Sequence, residues 1–167
     1  MHLLTTELWL PRDIREVFAF FSDARNLEVL TPPWLHFRIL SAPGSLGKDV
    51  RLEYRIWWRW IPLRWRTAIT VWEPPSRFVD EQVRGPYRRW VHEHSFIEQE
   101  GGTLVRDRVE YALPGWGLGT LLHCLVVGPD VQRIFAYRRA RMQELFGVRE
   151  RSERSVSSHT RGNWPRL

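Results

Sequence analysis

The stretch FVDEQVRGPYRRWVHEHSFIEQEGGTLVRDRVEY, residues 78–111, reads as three consecutive β-strands. The dipeptide Gly85-Pro86 separates the first strand from the second, and Gly101-Gly102 separates the second from the third, because both dipeptides favour turns over strand pairing. Side chains alternate between the two faces of a strand. The middle strand is therefore predicted to carry on one face Trp90, His92, His94 and Phe96.

Folding each hairpin about its turn predicts which side chains face one another. The predicted pairs are Gln82–Trp90, Asp80–His92 and Phe78–His94 in the first hairpin, and Phe96–Val105, His94–Asp107, His92–Val109 and Trp90–Tyr111 in the second. Directly opposed side chains in an antiparallel sheet lie about 5 Å apart. One sheet face is therefore expected to gather two histidines and two aspartates among aromatic rings.

An apolar wall with a few convergent polar groups is typical of a small-molecule pocket. The alternative interpretation is a half-exposed sheet face on which His94 and Asp107 form an ordinary cross-strand pair. The opposite face carries many more charged side chains and is the better candidate for the solvent-facing side. These charged residues are Glu81, Arg89, Glu93, Arg106, Arg108 and Glu110.

Length and composition limit the possible protein classes. A chain of 167 residues is expected to form one domain that buries about 70% of its unfolded surface. The single cysteine, Cys124, excludes an internal disulfide and a cysteine-rich zinc site and fits a reducing compartment. The sequence shows no signal-peptide pattern and no apolar run long enough to span a bilayer. We therefore expect a cytoplasmic protein.

The formal net charge of +6 comes largely from arginines. Much of the surplus lies in residues 148–167, which are poor in apolar side chains and are predicted to form a flexible basic tail after a single domain at 1–147. Nucleic-acid binding needs a clustered basic patch, which this distribution does not supply, so no nucleic-acid partner is expected. Ten tryptophans are more than a core of this size needs, which suggests that some line a cavity.

The segments before residue 78 predict two single strands, two short helices and one long hairpin. We expect a strand at 3–9, a helix at 11–21 with Pro11 near its start, a second helix from Ser22 or Asp23 to residue 30, and a strand at 35–41. Strands 50–60 and 63–72 are predicted to turn about Ile61-Pro62. This register pairs Tyr54 with Ile69 and Trp58 with Trp65 on an apolar inner face, and it pairs Arg59 with Arg64 and places Trp57 beside Arg66 on the outer face.

The chain after residue 111 predicts helices. Residues 118–127 have helical character but are expected to be interrupted at Gly128-Pro129. A long amphipathic helix is predicted from a cap at Asp130 to residue 146, ending at Gly147. Its apolar stripe consists of Val131, Ile134, Phe135, Met142 and Leu145.

This order of elements predicts an α+β fold. A curved, antiparallel, seven-stranded sheet wraps around the long C-terminal helix, and two short helices follow the first strand. Such a sheet leaves a cavity between its concave face and the helix, and the face with the histidines would line it.

Three motifs stand out in the chain: the run Gly-Pro-Tyr-x-x-Trp-x-His-x-His-x-Phe at 85–96, Gly102-Thr103 followed by Asp107-x-Val109-x-Tyr111-x-x-Pro114, and Ile134-Phe135-x-Tyr137-Arg138. Together with the order of elements, they resemble the SRPBCC or START-like superfamily, in particular its bacterial polyketide cyclase/dehydrase-like branch. The resemblance covers residues 1–147 and implies a helix-grip fold with an internal hydrophobic cavity. It does not specify an activity, because the superfamily includes lipid carriers, ligand-binding modules and cyclases.

Our first functional hypothesis is the binding of a small hydrophobic, aromatic or lipid-like ligand in this cavity. Aromatic rings would supply contact area, and the polar side chains would orient polar groups of the ligand. The predicted ligand-binding residues are Tyr54, Trp58, Phe78, Asp80, Gln82, Trp90, His92, His94, Phe96 and Tyr111.

The alternative hypothesis is an enzyme of the cyclase or dehydratase type. An imidazole exchanges protons readily near neutral pH, and a neighbouring carboxylate fixes its tautomer, so His94 with Asp107 is the candidate acid–base pair. His92, His94 and Asp80 permit a metal, but without a convincing third ligand we expect neither a metal nor a cofactor. Residues 118–127 also suggest a transient membrane contact. We expect a monomer or a homodimer.

Overall fold

The computed structural model describes residues 1–115 and 123–147 of the chain. The basic tail predicted at 148–167, and the first half of the helical segment predicted at 118–127, lie outside the described residues. Among the described residues, no helix has the length and apolar character needed to cross a bilayer.

Seven strands form one antiparallel sheet in the spatial order β1-β7-β6-β5-β4-β3-β2. Consecutive strands from β2 to β7 are neighbours, and β1 closes on β7. This meander follows from the short turns in the sequence. The strands are β1 His2–Leu10, β2 Arg38–Ser41, β3 Arg51–Trp58, β4 Ile61–Glu73, β5 Arg77–Arg84, β6 Arg89–Gln99 and β7 Gly102–Ala112.

Two short helices follow β1, as predicted, but both begin later than expected. Helix α1, Ile14–Phe21, starts three residues after Pro11 because the Asp13 side chain caps it by accepting a hydrogen bond from the Arg15 backbone N–H. Helix α2, Asn26–Leu30, has no side-chain cap. Asp23 instead accepts the backbone N–H of Arg25, before the helix begins.

The strand predicted at 35–41 is shortened at its start. Leu35 belongs to a single 3₁₀ turn, Pro33–Leu35, and not to the strand, and His36 then adopts a left-handed conformation with φ of 41°. Pairing with β3 can therefore begin only at Arg38.

The registers of the β5–β6 and β6–β7 hairpins are confirmed almost throughout. Phe78 faces His94, Asp80 faces His92, and all four predicted pairs between β6 and β7 occur. The exception is Gln82, whose pairing with Trp90 is absent because the β5–β6 ladder ends at Glu81 and Val91. The Gln82 side chain instead forms hydrogen bonds within the turn, donating to the backbone carbonyl of Tyr87 and accepting from its backbone N–H.

The register predicted for the β3–β4 hairpin is wrong. The chain turns at Arg59-Trp60, two residues before Ile61-Pro62, and Arg59 supplies the left-handed conformation with φ of 52°. Tyr54 therefore faces Trp65 instead of Ile69, and Trp58 faces Ile61. The shift moves each partner by an even number of residues, so the inner and outer faces of the hairpin stay as predicted.

The outer-face pairs predicted for this hairpin are wrong as well. Arg64 faces Arg55 instead of Arg59, and Trp57 faces Pro62 instead of standing beside Arg66. The guanidinium groups of Arg64 and Arg66 both bind the carboxylate of Glu53. The acidic side chain offsets the like-charge repulsion of the arginines that the observed register brings together.

The C-terminal helix α3, Gly128–Phe146, ends at Gly147, as predicted, with φ of 72°. The start of the helix differs from the prediction, because Gly128-Pro129 forms the first turn of α3 and does not interrupt the helix. A proline is tolerated in the first turn because the backbone N–H that it lacks would have no partner within the helix. A single π-helical turn, His123–Val127, precedes it. Asp130 is consequently inside the first turn and is not the cap.

Helix α3 packs its apolar stripe on the inner face of the sheet, which confirms the helix-grip architecture. Val131 and Phe135 contact the core beside Val109 and Tyr111 of β7. Farther along, the stripe ends in Met142 and Phe146, which are buried with the residues of α1. Phe146 takes the place predicted for Leu145, which is 41% exposed.

Candidate functional site

A cavity of about 310 Å³ lies between the inner face of the sheet and helices α2 and α3. Most of its wall is apolar and comes from β3, β4 and α3. The wall includes seven of the residues predicted to bind a ligand. These are Tyr54, Trp58, Phe78, Asp80, Trp90, His92 and His94.

The other predicted site residues lie behind or beside this wall. The Gln82 side chain is hydrogen-bonded to Tyr87 in the β5–β6 turn. Phe96 is 2% exposed and packs its ring against Phe18 and Phe21 in the core. Tyr111 packs against the ring of Trp90. Strand alternation placed these residues on the correct face but could not tell the cavity from the packed ends of the sheet.

Four polar side chains at the centre of the inner face form a compact group that we call the His–Asp square: Asp80, His92, His94 and Asp107. The two imidazole rings lie beside each other on β6 with centroids 3.8 Å apart. The carboxylates of β5 and β7 flank them on either side. Asp80, His92 and His94 line the cavity, whereas Asp107 lies behind the rings and is 3% exposed.

Each imidazole of the His–Asp square spans both carboxylates. His92 Nε2 lies 3.1 Å from Asp107 Oδ1, and His92 Nδ1 lies 3.6 Å from Asp80 Oδ2. His94 Nε2 lies 3.1 Å from Asp80 Oδ2, and His94 Nδ1 lies 2.8 Å from Asp107 Oδ1. The last contact is an ion pair out of line with the ring N–H, not a straight hydrogen bond.

A fifth charged group, Arg138 of α3, completes the surroundings of the His–Asp square. Its Nε lies 3.9 Å from Asp107 Oδ2, its guanidinium stands over the ring of Phe21, and its side chain is 12% exposed. We did not predict a role for Arg138. The residue stood in one of the resemblance motifs, which was the one signal in the sequence that pointed to it.

The surroundings keep both aspartates ionised. Burial by itself would raise the pKa of Asp107, but Arg138 and the contacts with both imidazoles outweigh it and hold the pKa well below its usual range. Burial likewise opposes ionisation of Asp80, yet the hydrogen bond from His94 and the charge near His92 lower its pKa. The interior of the sheet therefore contains two carboxylates and needs positive charge to balance them.

The pKa values of the two histidines are shifted in opposite directions. Burial disfavours the His94 cation, but the contacts with Asp107 and Asp80 outweigh it and raise the pKa of His94. Burial and the neighbouring charge of His94 lower the pKa of His92 below its ordinary value. These shifts favour the charged form of His94 and the neutral form of His92, and a neutral His92 ring keeps a nitrogen lone pair.

Asp80, His92 and His94 also offer one ligand atom each within 4.8 Å of one another, a spacing that fits a metal ion. Asp80 is thus a candidate third ligand beside the two histidines, which the sequence alone did not make convincing. The rings of Phe78 and Phe21 pack against His94 and shield the group from water.

The far end of the cavity is held by a second polar contact. Trp58 Nε1 of β3 donates a hydrogen bond of 2.8 Å to Asp130 Oδ2 in the first turn of α3, and Arg59 Nε lies 3.6 Å from the same oxygen. Asp130, which we predicted as a helix cap, therefore joins the β3–β4 hairpin to the helix. Nothing in the local sequence signals a contact across 72 positions.

Solved structures with the same architecture are numerous and distant in sequence. Protein Ms6760 from Mycobacterium smegmatis has a TM-score of 0.65 and 19% identity, over 87% of this chain and 90% of that one. TTHA0849 from Thermus thermophilus has a TM-score of 0.62 and 20% identity, over 86% and 99%. Major latex-like protein 151 from Panax ginseng has a TM-score of 0.64 at 8% identity, over 87% and 97%. At these identities the likeness establishes the fold alone.

The sequence itself supplies the family. No curated protein matches the chain, but the family model described as "Polyketide cyclase / dehydrase and lipid transport" matches residues 10–134. That match runs from the last residue of β1 to the first seven residues of α3. The chain therefore belongs to the polyketide cyclase/dehydrase and lipid transport family, within the SRPBCC superfamily that its motifs resemble.

Proposed function

We propose that this protein binds a small, mostly apolar molecule, aromatic or lipid-like, with its polar end against the His–Asp square. The observation that carries the proposal is the cavity of about 310 Å³, whose apolar wall is interrupted by Asp80, His92 and His94. Its volume lies at the lower end of the range for ligand sites, about 300–1,000 Å³. This size favours a compact ring system or a short acyl chain.

The aromatic side chains of the wall support this proposal. Tyr54 stacks on Trp65, and Trp65 meets the edge of Trp90, so that rings from three strands form one continuous surface. Flat rings supply large contact areas at low cost in conformational entropy. Asp80, His92 and His94 lie together on the wall, so they would fix the orientation of a ligand that the apolar surface binds.

The proposal is tested by titration with N-phenyl-1-naphthylamine, an uncharged apolar dye that fluoresces on leaving water. We expect saturable binding at one site per chain. The variant Ile134→Trp adds a bulky ring on the cavity side of α3 and should weaken dye binding at least tenfold. Ile97→Trp is the matched control, because Ile97 is an exposed β6 side chain that is not part of the cavity wall.

Equal dye affinity in both variants would overturn the proposal, since it would place the dye outside the cavity. Non-saturable binding by the unsubstituted chain would do the same. Candidate natural ligands are then ranked by their ability to displace the dye.

Catalysis by His94 and Asp107 stays a prediction. The two side chains do lie 2.8 Å apart, as an acid–base pair requires. However, the second ring nitrogen of His94 is bonded to Asp80, so His94 offers no free lone pair to a ligand while it is protonated. The geometry thus supports binding and orientation more directly than proton abstraction by this residue.

Membrane contact and oligomeric state also stay predictions. The first half of the segment on which the membrane hypothesis depended, residues 118–127, lies outside the described residues. Leu125, which is described, is 69% exposed. Co-sedimentation with anionic and neutral liposomes would test the membrane contact.

The prediction of a monomer or a homodimer would be tested by light scattering, which gives the oligomeric state.

A further inference from the structure

We propose that Asp80, His92 and His94 bind a divalent transition-metal ion on the wall of the cavity. The proposal goes beyond the binding of an apolar molecule and against our expectation from sequence that no metal is bound. Its test uses the metal alone, so its outcome does not depend on whether an organic ligand is found.

The separations of the ligand atoms carry the argument. Asp80 Oδ2 lies 3.1 Å from His94 Nε2 and 3.6 Å from His92 Nδ1, and the three atoms all lie within 4.8 Å of one another. Ligands that bind zinc at about 2.0–2.2 Å must lie roughly 3–3.5 Å from one another in tetrahedral or octahedral geometry. Small rotations of the side chains would therefore bring all three atoms to bonding distance.

The opposite edges of the two rings have the support that metal-binding histidines need. Asp107 Oδ1 lies 3.1 Å from His92 Nε2 and 2.8 Å from His94 Nδ1. A histidine that binds a metal through one nitrogen usually donates the N–H of the other to a carboxylate, which fixes the tautomer and orients the ring. A single aspartate here contacts both rings, by a hydrogen bond with His92 and by a close contact out of line with the N–H of His94, and it lies on the side away from the cavity.

The charge of the group leaves room for a cation. Two carboxylates contact the rings, and Arg138 is the cationic side chain that reaches them among the described residues. Arg138 stands on the Asp107 side of the His–Asp square, whereas the proposed metal lies on the Asp80 side. One guanidinium stands against two carboxylates, so the fixed charges of these side chains leave room for a cation on the Asp80 side.

The donor set indicates which ions fit. Two imidazoles and one carboxylate suit Zn²⁺, Co²⁺ and Fe²⁺ better than Mg²⁺ or Ca²⁺, which prefer oxygen ligands. Three protein ligands leave at least one coordination position open. That position faces the cavity, because all three ligands belong to its wall. An oxygen of a bound molecule could therefore coordinate the metal.

The experiment uses the full chain stripped of metal with EDTA. Titration with Zn²⁺ is followed by calorimetry, and titration with Co²⁺ by visible absorption. We expect one equivalent to bind, and the unfolding temperature to rise by about 5–10 °C at a free metal concentration of 100 times Kd. Long-range ¹H–¹⁵N spectra of the histidine rings should show coordination at His92 Nδ1 and His94 Nε2. Unchanged ring signals in saturating Zn²⁺ would overturn the proposal without any substitution.

Three variants separate this site from adventitious binding. Asp80→Asn keeps the shape of the side chain but removes a ligand charge, and it should weaken Zn²⁺ binding more than 100-fold. Asp107→Asn should weaken it about 10- to 100-fold, as expected for a supporting carboxylate. His36→Asn is the control, because His36 is exposed and asparagine tolerates its left-handed backbone. Zn²⁺ affinity that is lost in His36→Asn, or kept in Asp80→Asn, would contradict the proposal.

Discussion

The centre of the sheet, β5 to β7, and the β3–β4 hairpin treat their polar side chains in opposite ways. At the centre, Asp107 is 3% exposed and meets His92, His94 and Arg138 inside the protein. On the hairpin, Trp60 at the tip is 92% exposed, and the charged pairs around Glu53 face water. The charged side chains at the centre must be paired with other protein groups, whereas those of the hairpin are solvated by water.

This difference indicates where the structure is vulnerable. Removing one member of a buried charge group leaves its partners unpaired in a medium that solvates them poorly, whereas solvent screens the loss of an exposed pair. The centre of the sheet should therefore be sensitive to single polar substitutions. The hairpin should tolerate them, except where Trp58 reaches Asp130.

The largest expected effect is at Asp107. The variant Asp107→Ala removes the carboxylate that contacts both imidazoles and leaves Arg138 without its nearest partner. We expect the free energy of unfolding, measured by urea denaturation, to fall by about 3–5 kcal/mol. Glu7→Ala is the control, since Glu7 pairs with Arg106 on the exposed side of the sheet, and it should cost less than about 1 kcal/mol. Similar losses in the two variants would break the comparison.

The next effect is expected where the hairpin meets the helix. Trp58→Phe keeps an aromatic ring in the cavity wall but removes the N–H that donates to Asp130. Hydrogen bonds to charged groups contribute about 1.5–3 kcal/mol, and partial exposure favours the lower end of that range. Hydrogen exchange of the β3–β4 amides should quicken while that of β6 and β7 stays unchanged. Uniform quickening would show that the hairpin has no independent opening.

A smaller effect distinguishes the core from the cavity. Phe96 shares a face with the histidines but packs against Phe18 and Phe21, outside the cavity wall. Phe96→Leu should lower the free energy of unfolding by about 1 kcal/mol and leave dye affinity unchanged. A loss of dye affinity at unchanged stability would return Phe96 to the ligand-binding set that we predicted from sequence.

The smallest effect is expected at the hairpin tip. Trp60→Ala removes a large ring with little packing to lose, so the free energy of unfolding should change by less than about 0.5 kcal/mol. Thermal unfolding monitored by circular dichroism would detect a larger change. A destabilisation above about 1 kcal/mol would show that the tip packs on part of the chain outside the described residues.

The two regions also differ in how well the sequence predicted them. The turns at the centre were readable because they contain glycine, and Gly102 is structurally required, since a Cβ there would overlap the Leu10 carbonyl oxygen. The hairpin turn was misread because Pro62 suggested a turn, whereas the chain reverses at Arg59-Trp60. Proline has no backbone N–H to donate to a neighbouring strand. Pro62 is accommodated within β4 because the described pairing of β4 with β5 begins only at Arg66.

Strand alternation predicted the members of the His–Asp square but not their full surroundings. Asp80, His92, His94 and Asp107 come from neighbouring strands with readable turns, so their common face followed from periodicity. Arg138 reaches Asp107 from α3, and Trp58 meets Asp130 at the start of that helix. Contacts between sheet and helix depend on how the helix docks, and local pattern does not encode that geometry.

The central claim is that the cavity binds an apolar molecule beside the His–Asp square, and the position of a bound molecule tests it most directly. Isotope-filtered NOE spectra of the complex with N-phenyl-1-naphthylamine would report which methyl groups lie near the dye. We predict contacts to methyl groups of the cavity wall, those of Leu52, Ile69 and Ile134. Contacts confined to exposed methyl groups, such as those of Leu3 and Leu125, would contradict the account.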